Sequence, residues 1–125
     1  MNDKIKLLIK TKKATFEDIE KKVVSTIKFK EGLDIGDIVI IIIKEVPVYG
    51  KIIDIVPDKI KKGGWWHITF YLLVLPLTKM TWILRDAQMT GKEVFTINGE
   101  KRFFAPVNFE DSKRFEPKKS MLKIV

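Results

Sequence analysis

The stretch WWHITFYLLVL, residues 65–75, sorts into two sets of side chains when every second residue is taken. Successive side chains of a β-strand point to opposite faces of a sheet, so this alternation predicts a strand with one face on a core and one face towards water. The predicted core set is Trp66, Ile68, Phe70, Leu72 and Val74, and the predicted outward set is Trp65, His67, Thr69 and Tyr71.

The neighbouring segments are also typical of strands. Residues 77–84 alternate in the same way, with Met80, Trp82 and Leu84 predicted to face the core. On the other side, residues 49–56 form a predicted strand that follows a turn at Val46-Pro47. The run DIVIIIIKE, residues 37–45, is rich in β-branched residues and apolar on both faces, which predicts a strand covered on both sides, for example by a helix.

The last two predicted strands, residues 94–97 and 100–104, are joined by Asn98-Gly99. This dipeptide favours a two-residue type I′ turn, because both central residues of such a turn need a positive φ. The turn sets the register, so Arg102 is expected opposite Phe95, where a structural cation–π contact is the favoured interpretation.

A helix is predicted ahead of the strands, over residues 16–26. Thr15 and Asp18 have the spacing of a capping box, and an apolar stripe runs along one side of the segment. The predicted fold is therefore mainly β: a small antiparallel barrel of five to six strands with one N-terminal helix. Its parts are a basic arm (1–14), the helix packing on the barrel (15–30), the barrel (31–107) and a basic tail (108–125).

Two resemblances accompany this pattern. Gly36-Asp37-Ile38-Val39, followed by Gly50-Lys51-Ile52, resembles the first strands of SH3-like barrels, although the glycine-rich turn of the nucleic-acid-binding KOW version is replaced by residues 44–47. Residues 30–107 are also similar to a group of short, uncharacterised bacterial proteins, which implies no function.

Charge lies mainly at the ends of this chain of 125 residues, whose net charge is +8. Residues 1–30 hold nine lysines and four acids (+5), residues 108–125 five basic and three acidic residues (+2), and the middle ten and nine (+1). A basic excess of this kind suits nucleic acid or simply a lysine-rich composition. The absence of cysteine fits a reducing compartment, and we expect a cytoplasmic protein with no membrane segment and no membrane partner.

The outward face of the strand at 65–75 is the candidate site. Trp65, His67 and Tyr71 would form an aromatic platform for bases or for a protein partner. The alternative is that the helix or a terminal arm covers this face as a second core layer. The basic residues placed beside the platform are Lys59, Lys61, Lys62 and Arg85.

Catalysis finds little support in these residues. His67 is the only histidine, and a general base would need a nucleophile and an orienting carboxylate beside it. Asp54 and Asp58 could pair as cation ligands, but Asp58 is better explained as the cap of the turn after Pro57. We therefore expect no enzyme, no cofactor and no metal. The two hypotheses left are a binding module, with nucleic acid as the first ligand, and a structural protein that forms a homodimer through an unpaired apolar strand.

Overall fold

The computed structural model of the protein describes residues 14–109. Most of the predicted basic arm (1–14) and most of the predicted tail (108–125) therefore lie outside the described residues. The elements in chain order are α1 (Phe16–Thr26), β1 (Ile38–Ile43), β2 (Val46–Pro57), β3 (Trp65–Leu72), β4 (Thr78–Arg85), α2 (Asp86–Met89), β5 (Phe95–Ile97) and β6 (Glu100–Pro106).

All six of these strands belong to one antiparallel sheet in the order β4-β3-β2-β1-β6-β5. The sheet curls into a half-barrel, and one short N-terminal helix precedes it. The predicted mainly β, barrel-like class is thus confirmed. Neither described helix, of 11 and 4 residues, is long and apolar enough to cross a bilayer.

The inner side of the sheet is filled by the alternating sets that the sequence predicts, except that Val74 lies exposed in the loop after β3. Ile68 and Phe70 of β3 are fully buried, and Trp82 of β4 is nearly so. The Trp82 ring meets Phe70 at 5.1 Å and Phe95 at 5.9 Å between centroids, both edge to face, the arrangement that aromatic quadrupoles favour. Because Trp82 and Phe95 belong to the two outermost strands, their contact closes the open side of the half-barrel.

Helix α1 packs against the outer side of β1 and β6. Thr15 caps it as predicted: its hydroxyl accepts from the Asp18 N–H, and the Asp18 carboxylate accepts from the Thr15 N–H, both at 3.2 Å. The buried residues of this second apolar cluster are Phe16, Val23, Ile40, Ile42, Phe103, Ala105 and Val107. The run DIVIIIIKE is apolar on both faces because one face meets the inner core and the other meets α1.

Two predicted turns have different outcomes. The turn between β1 and β2 lies at Lys44-Glu45, with φ of 50° and 61°, so the turn predicted at Val46-Pro47 is wrong. Val46 and Pro47 instead pair with β1. The Asn98-Gly99 turn is confirmed, with φ of 53° and 79°.

The predicted end of β3 is also wrong, because pairing with β4 stops at Leu72 and residues 73–77 form the connecting loop. The premise of an unpaired apolar strand fails as well. Strand β1 is bonded to β2 on one side and to β6 on the other, and β2 lies between β1 and β3, so neither is an outer strand of the described sheet. A homodimer stays a prediction, but one that pairs strand edges would use β4 or β5, the two outer strands of the described sheet.

Candidate functional site

The outward side chains of β2, β3 and β4 form a continuous surface, here called the outer face. Helix α1 covers the neighbouring surface over β1 and β6 instead, so the alternative in which the helix buries the aromatic row is wrong. The other form of that alternative, a terminal arm over the row, lies outside the described residues. The row itself, Trp65, His67, Thr69 and Tyr71, is partly exposed. Cross-strand pairing places Lys51 and Lys79 beside Tyr71, Asp54 and Thr81 beside Thr69, Val56 and Ile83 beside His67, and Arg85 beside Trp65.

At one end of this row, Tyr71 lies between two lysines. It is directly opposite Lys51 of β2 and directly opposite Lys79 of β4. Directly opposed residues have Cβ atoms about 4.5–5.5 Å apart, so the side chains of both lysines start beside the tyrosine side chain. The ring and both lysines share one surface, and the two lysines are exposed.

At the other end, Trp65 also has two cations next to it. The Lys61 ammonium lies 4.4 Å from the ring centroid, and the Arg85 guanidinium carbon lies 5.1 Å from it. Both distances are within the range of a cation–π interaction. Arg85 Nη2 is also 3.4 Å from Glu93 Oε1, so the arginine contacts both this carboxylate and the Trp65 ring. Trp65 thus holds two positive charges next to its ring.

The loop that brings Lys61 to Trp65 is closed by Asp58. One carboxylate oxygen of Asp58 accepts from the backbone N–H groups of Ile60 (2.9 Å) and Lys61 (2.8 Å), which is the capping role that the sequence predicts. A glycine is needed further along, because Gly63 has φ +109° and a Cβ there would lie 3.1 Å from Trp65 Nε1. The loop conformation therefore depends on residues that carry no positive charge.

The second carboxylate oxygen of Asp58 lies 2.8 Å from His67 Nε2. The Lys61 N–H, the His67 ring and the Ile60 N–H together lower the Asp58 pKa from 3.8 to about 2, so the group is ionised at neutral pH. An ionised carboxylate only accepts, so His67 Nε2 carries the hydrogen of this contact. His67 thus anchors the loop to β3.

A shallow groove of about 660 Å³ runs along this end of the outer face. His67, Thr69 and Thr81 line it on the strands, while Lys59 and Lys61 line it from the loop. Lys62 is exposed on the same loop but does not line the groove. The structure therefore brings Trp65, His67, Lys59, Lys61 and Arg85 together. Tyr71 is six residues further along β3, about 20 Å away at the strand rise of ~3.3 Å per residue.

Sequence reasoning missed two lysines of the outer face. Lys79 alternates with the core residues of β4, and that alternation is the signal that could have placed it. Lys51 had no such signal relative to Tyr71, because a bulge shifts the β2–β3 register between Ile52 and Asp54. The pairing could not be counted from the loop without knowing of this bulge.

Arg102 lies on the opposite, inner side of the sheet. It faces Phe95 in register as predicted, but its guanidinium lies over the Trp82 ring at 5.0 Å. Its Nε is 3.3 Å from Glu100 Oε2 without hydrogen-bond geometry. Among residues 14–109, no three His, Asp or Glu side chains are grouped so that they could hold a metal ion.

Comparison of the chain with family models, with curated proteins and with solved structures gives no match.

Proposed function

We propose that the protein is a non-catalytic binding module that holds single-stranded nucleic acid against the outer face. The observation that carries this proposal is the arrangement of two aromatic rings on one surface, each flanked by two cations. Proteins that bind single strands combine these two features, a positively charged track for the backbone and aromatic rings on which bases stack.

The two ends of the outer face have different tasks in this proposal. Tyr71, between Lys51 and Lys79, offers a ring for stacking with an ammonium group on either side for phosphates. Trp65 is already occupied by Lys61 and Arg85, so it orients these two cations and leaves stacking to Tyr71. The groove between the two ends would hold the intervening strand.

The charge balance supports a ligand of phosphates. Six basic residues, Lys51, Lys59, Lys61, Lys62, Lys79 and Arg85, lie on or beside the outer face, against Asp54, Asp58 and Glu93. The Asp58 carboxylate binds its own loop and His67, and the Glu93 carboxylate pairs with Arg85. Asp54 is therefore the one of these three acids that remains near the path of the bound nucleic acid. The lysines of residues 1–14 would add contacts to this track.

A fluorescence anisotropy titration with a labelled oligothymidylate tests the proposal. Four lysine and arginine contacts to phosphates predict that log K falls with log salt with a slope of roughly −3, at about −0.7 per phosphate on a single strand. Tyr71→Ala should weaken binding about tenfold, because stacking on one ring contributes ~1–3 kcal/mol, while Tyr71→Phe should bind as the native chain does.

The contribution of charge to oligonucleotide binding is tested by two double variants, one on the outer face and one on α1. Lys61→Ala with Arg85→Ala should reduce the salt slope by roughly 1.4, since two phosphate contacts are lost. Lys21→Ala with Lys22→Ala on α1 removes the same charge away from the outer face and should change little. Equal loss in both double variants would mean that net charge alone attracts the oligonucleotide and would overturn the proposal.

A further inference from the structure

The loop between β3 and β4 exposes an unusual amount of apolar surface. Residues 73–78 carry no charge, and the solvent-exposed fractions are 45% for Leu73, 40% for Val74, 99% for Leu75 and 62% for Leu77. These four residues are called the apolar tip. Contiguous apolar surface of this kind marks a site of interaction with an apolar partner, because exposing it to water is costly.

The neighbouring β1–β2 hairpin extends this patch. The Leu73 N–H donates to the Tyr49 carbonyl at 2.9 Å, which holds the two hairpins side by side. Val46 and Tyr49 are themselves about half exposed. The patch therefore spans two adjacent loops at one end of the sheet, opposite the end that carries the Asp58–Gly64 loop.

Positive charge lies immediately behind the apolar tip. Lys79 follows Leu77 by two residues, Lys51 follows Tyr49 by two residues, and both are exposed on the outer face. Lys44 is exposed in the β1–β2 turn, where its acidic neighbours are Glu45 and Glu100, whose carboxylate accepts from the Lys44 N–H, so the three lysines and two acids sum to +1. An apolar groove on a protein partner would not need these three lysines next to the apolar tip, whereas an anionic bilayer attracts each lysine near its surface.

We propose that the apolar tip inserts into the interfacial region of an anionic membrane. The protruding leucines and Val74 would reach the boundary between headgroups and acyl chains, about 5–10 Å deep. Lys51 and Lys79 would then lie at the level of the lipid phosphates, and Tyr49 at the depth where amphipathic rings are enriched. Four side chains in a loop are enough for this contact, so it needs no spanning helix, the feature on which the expectation of no membrane partner depended.

The first experiment reports insertion directly. The chain has no cysteine, so Leu75→Cys gives a single site for a polarity-sensitive fluorophore. Ile60→Cys is the matched control, because Ile60 is 93% exposed in the loop at the other end of the sheet. With vesicles of phosphatidylcholine and phosphatidylserine at about 7:3, we expect a blue shift at position 75 and none at position 60. No shift at 75, or equal shifts at both positions, would overturn the proposal.

The second experiment measures affinity by vesicle co-sedimentation. Leu75→Ser should lower partitioning into the mixed vesicles about tenfold, because the apolar side chain no longer leaves water. Ile60→Ser should change it little, and pure phosphatidylcholine should bind less than the mixed vesicles do. Unchanged partitioning of the Leu75→Ser variant would overturn the proposal. It would also be overturned if light scattering showed that the native chain is a dimer and the Leu75→Ser variant a monomer, because a second copy would then cover the apolar tip.

This inference shares Lys51 and Lys79 with the proposed nucleic-acid function, and Leu75, which serves only the membrane contact, separates the two. Leu75 lies in a loop beyond the outer face, so Leu75→Ser should leave the affinity for oligothymidylate unchanged. A chain that binds oligothymidylate but not vesicles would refute the inference alone, and the reverse result would refute the proposed function alone.

Discussion

Replacing Gly91 by alanine should destabilise the protein far more than replacing an equivalent glycine in an open turn. Gly91 ends α2 with φ +83°, and a Cβ there would lie 2.7 Å from Ala105 Cβ and 3.4 Å from Phe103 Cζ. Ala105 and Phe103 are fully buried under α1, so neither can move aside without disturbing that cluster. The glycine is needed both for its backbone conformation and for its missing side chain.

Two contributions add up in Gly91→Ala. The left-handed backbone costs an alanine about 1–2 kcal/mol, and an extra methyl group in a well-packed cluster costs about 1–3 kcal/mol. The free energy of unfolding should therefore fall by about 2–5 kcal/mol. Gly99→Ala is the control, because Gly99 has φ +79° with nothing within 4 Å of an added Cβ, so only the backbone contribution applies.

Urea unfolding followed by tryptophan fluorescence measures both variants against the native chain. The linear dependence on denaturant gives each free energy of unfolding, and unchanged slopes would show that the comparison is between like states. The reasoning is refuted if Gly91→Ala and Gly99→Ala lose the same stability, because the contact with Ala105 would then cost nothing.

Two further results are expected. Asp58→Asn should lower the melting temperature at neutral pH, and this deficit should shrink as the pH falls from about 4 to about 2. The reason is that the Asp58 pKa is lowered on folding, so the ionised carboxylate stabilises the fold above pH 3.8 and this contribution is lost near pH 2. A deficit in melting temperature that does not change with pH would refute this. Asp37→Ala should lower the free energy of unfolding, measured in urea, by ~1–3 kcal/mol, because Asp37 accepts from Lys30 Nζ at 2.7 Å and from the Asp34 N–H at 2.8 Å. Glu31 is exposed, so the control Glu31→Ala should lower it by under about 1 kcal/mol.

Local patterns were sufficient for most of the secondary structure. The capping box at Thr15, the alternation in residues 65–72 and the Asn98-Gly99 turn each depend on neighbours in the chain, and each is confirmed. The turn at Lys44-Glu45 was missed because neither residue type favours a positive φ. Pairing along the whole β1–β2 ladder forces the turn there, against the local preference.

The candidate site depended on contacts between residues that are further apart in the sequence. The sequence identified Trp65, His67 and Tyr71 as one row, and the loop lysines as its neighbours. It could not pair Asp58 with His67, nine residues apart across a loop, nor bring Lys51 beside Tyr71 across a bulge. Those contacts follow from register, which a single inserted residue changes.

What the amino-acid order determined alone is which side chains point the same way, because the two-residue period of a strand is local and the apolar sets must leave water together. What only the tertiary structure decided is which of the two outward surfaces the helix covers. Helix α1 could have packed over β3, and it covers β1 and β6 because Ile40 and Ile42 present an apolar outer surface next to Phe103 and Ala105. Among residues 14–109, that choice leaves the aromatic and basic surface of β2–β4 uncovered by the helix.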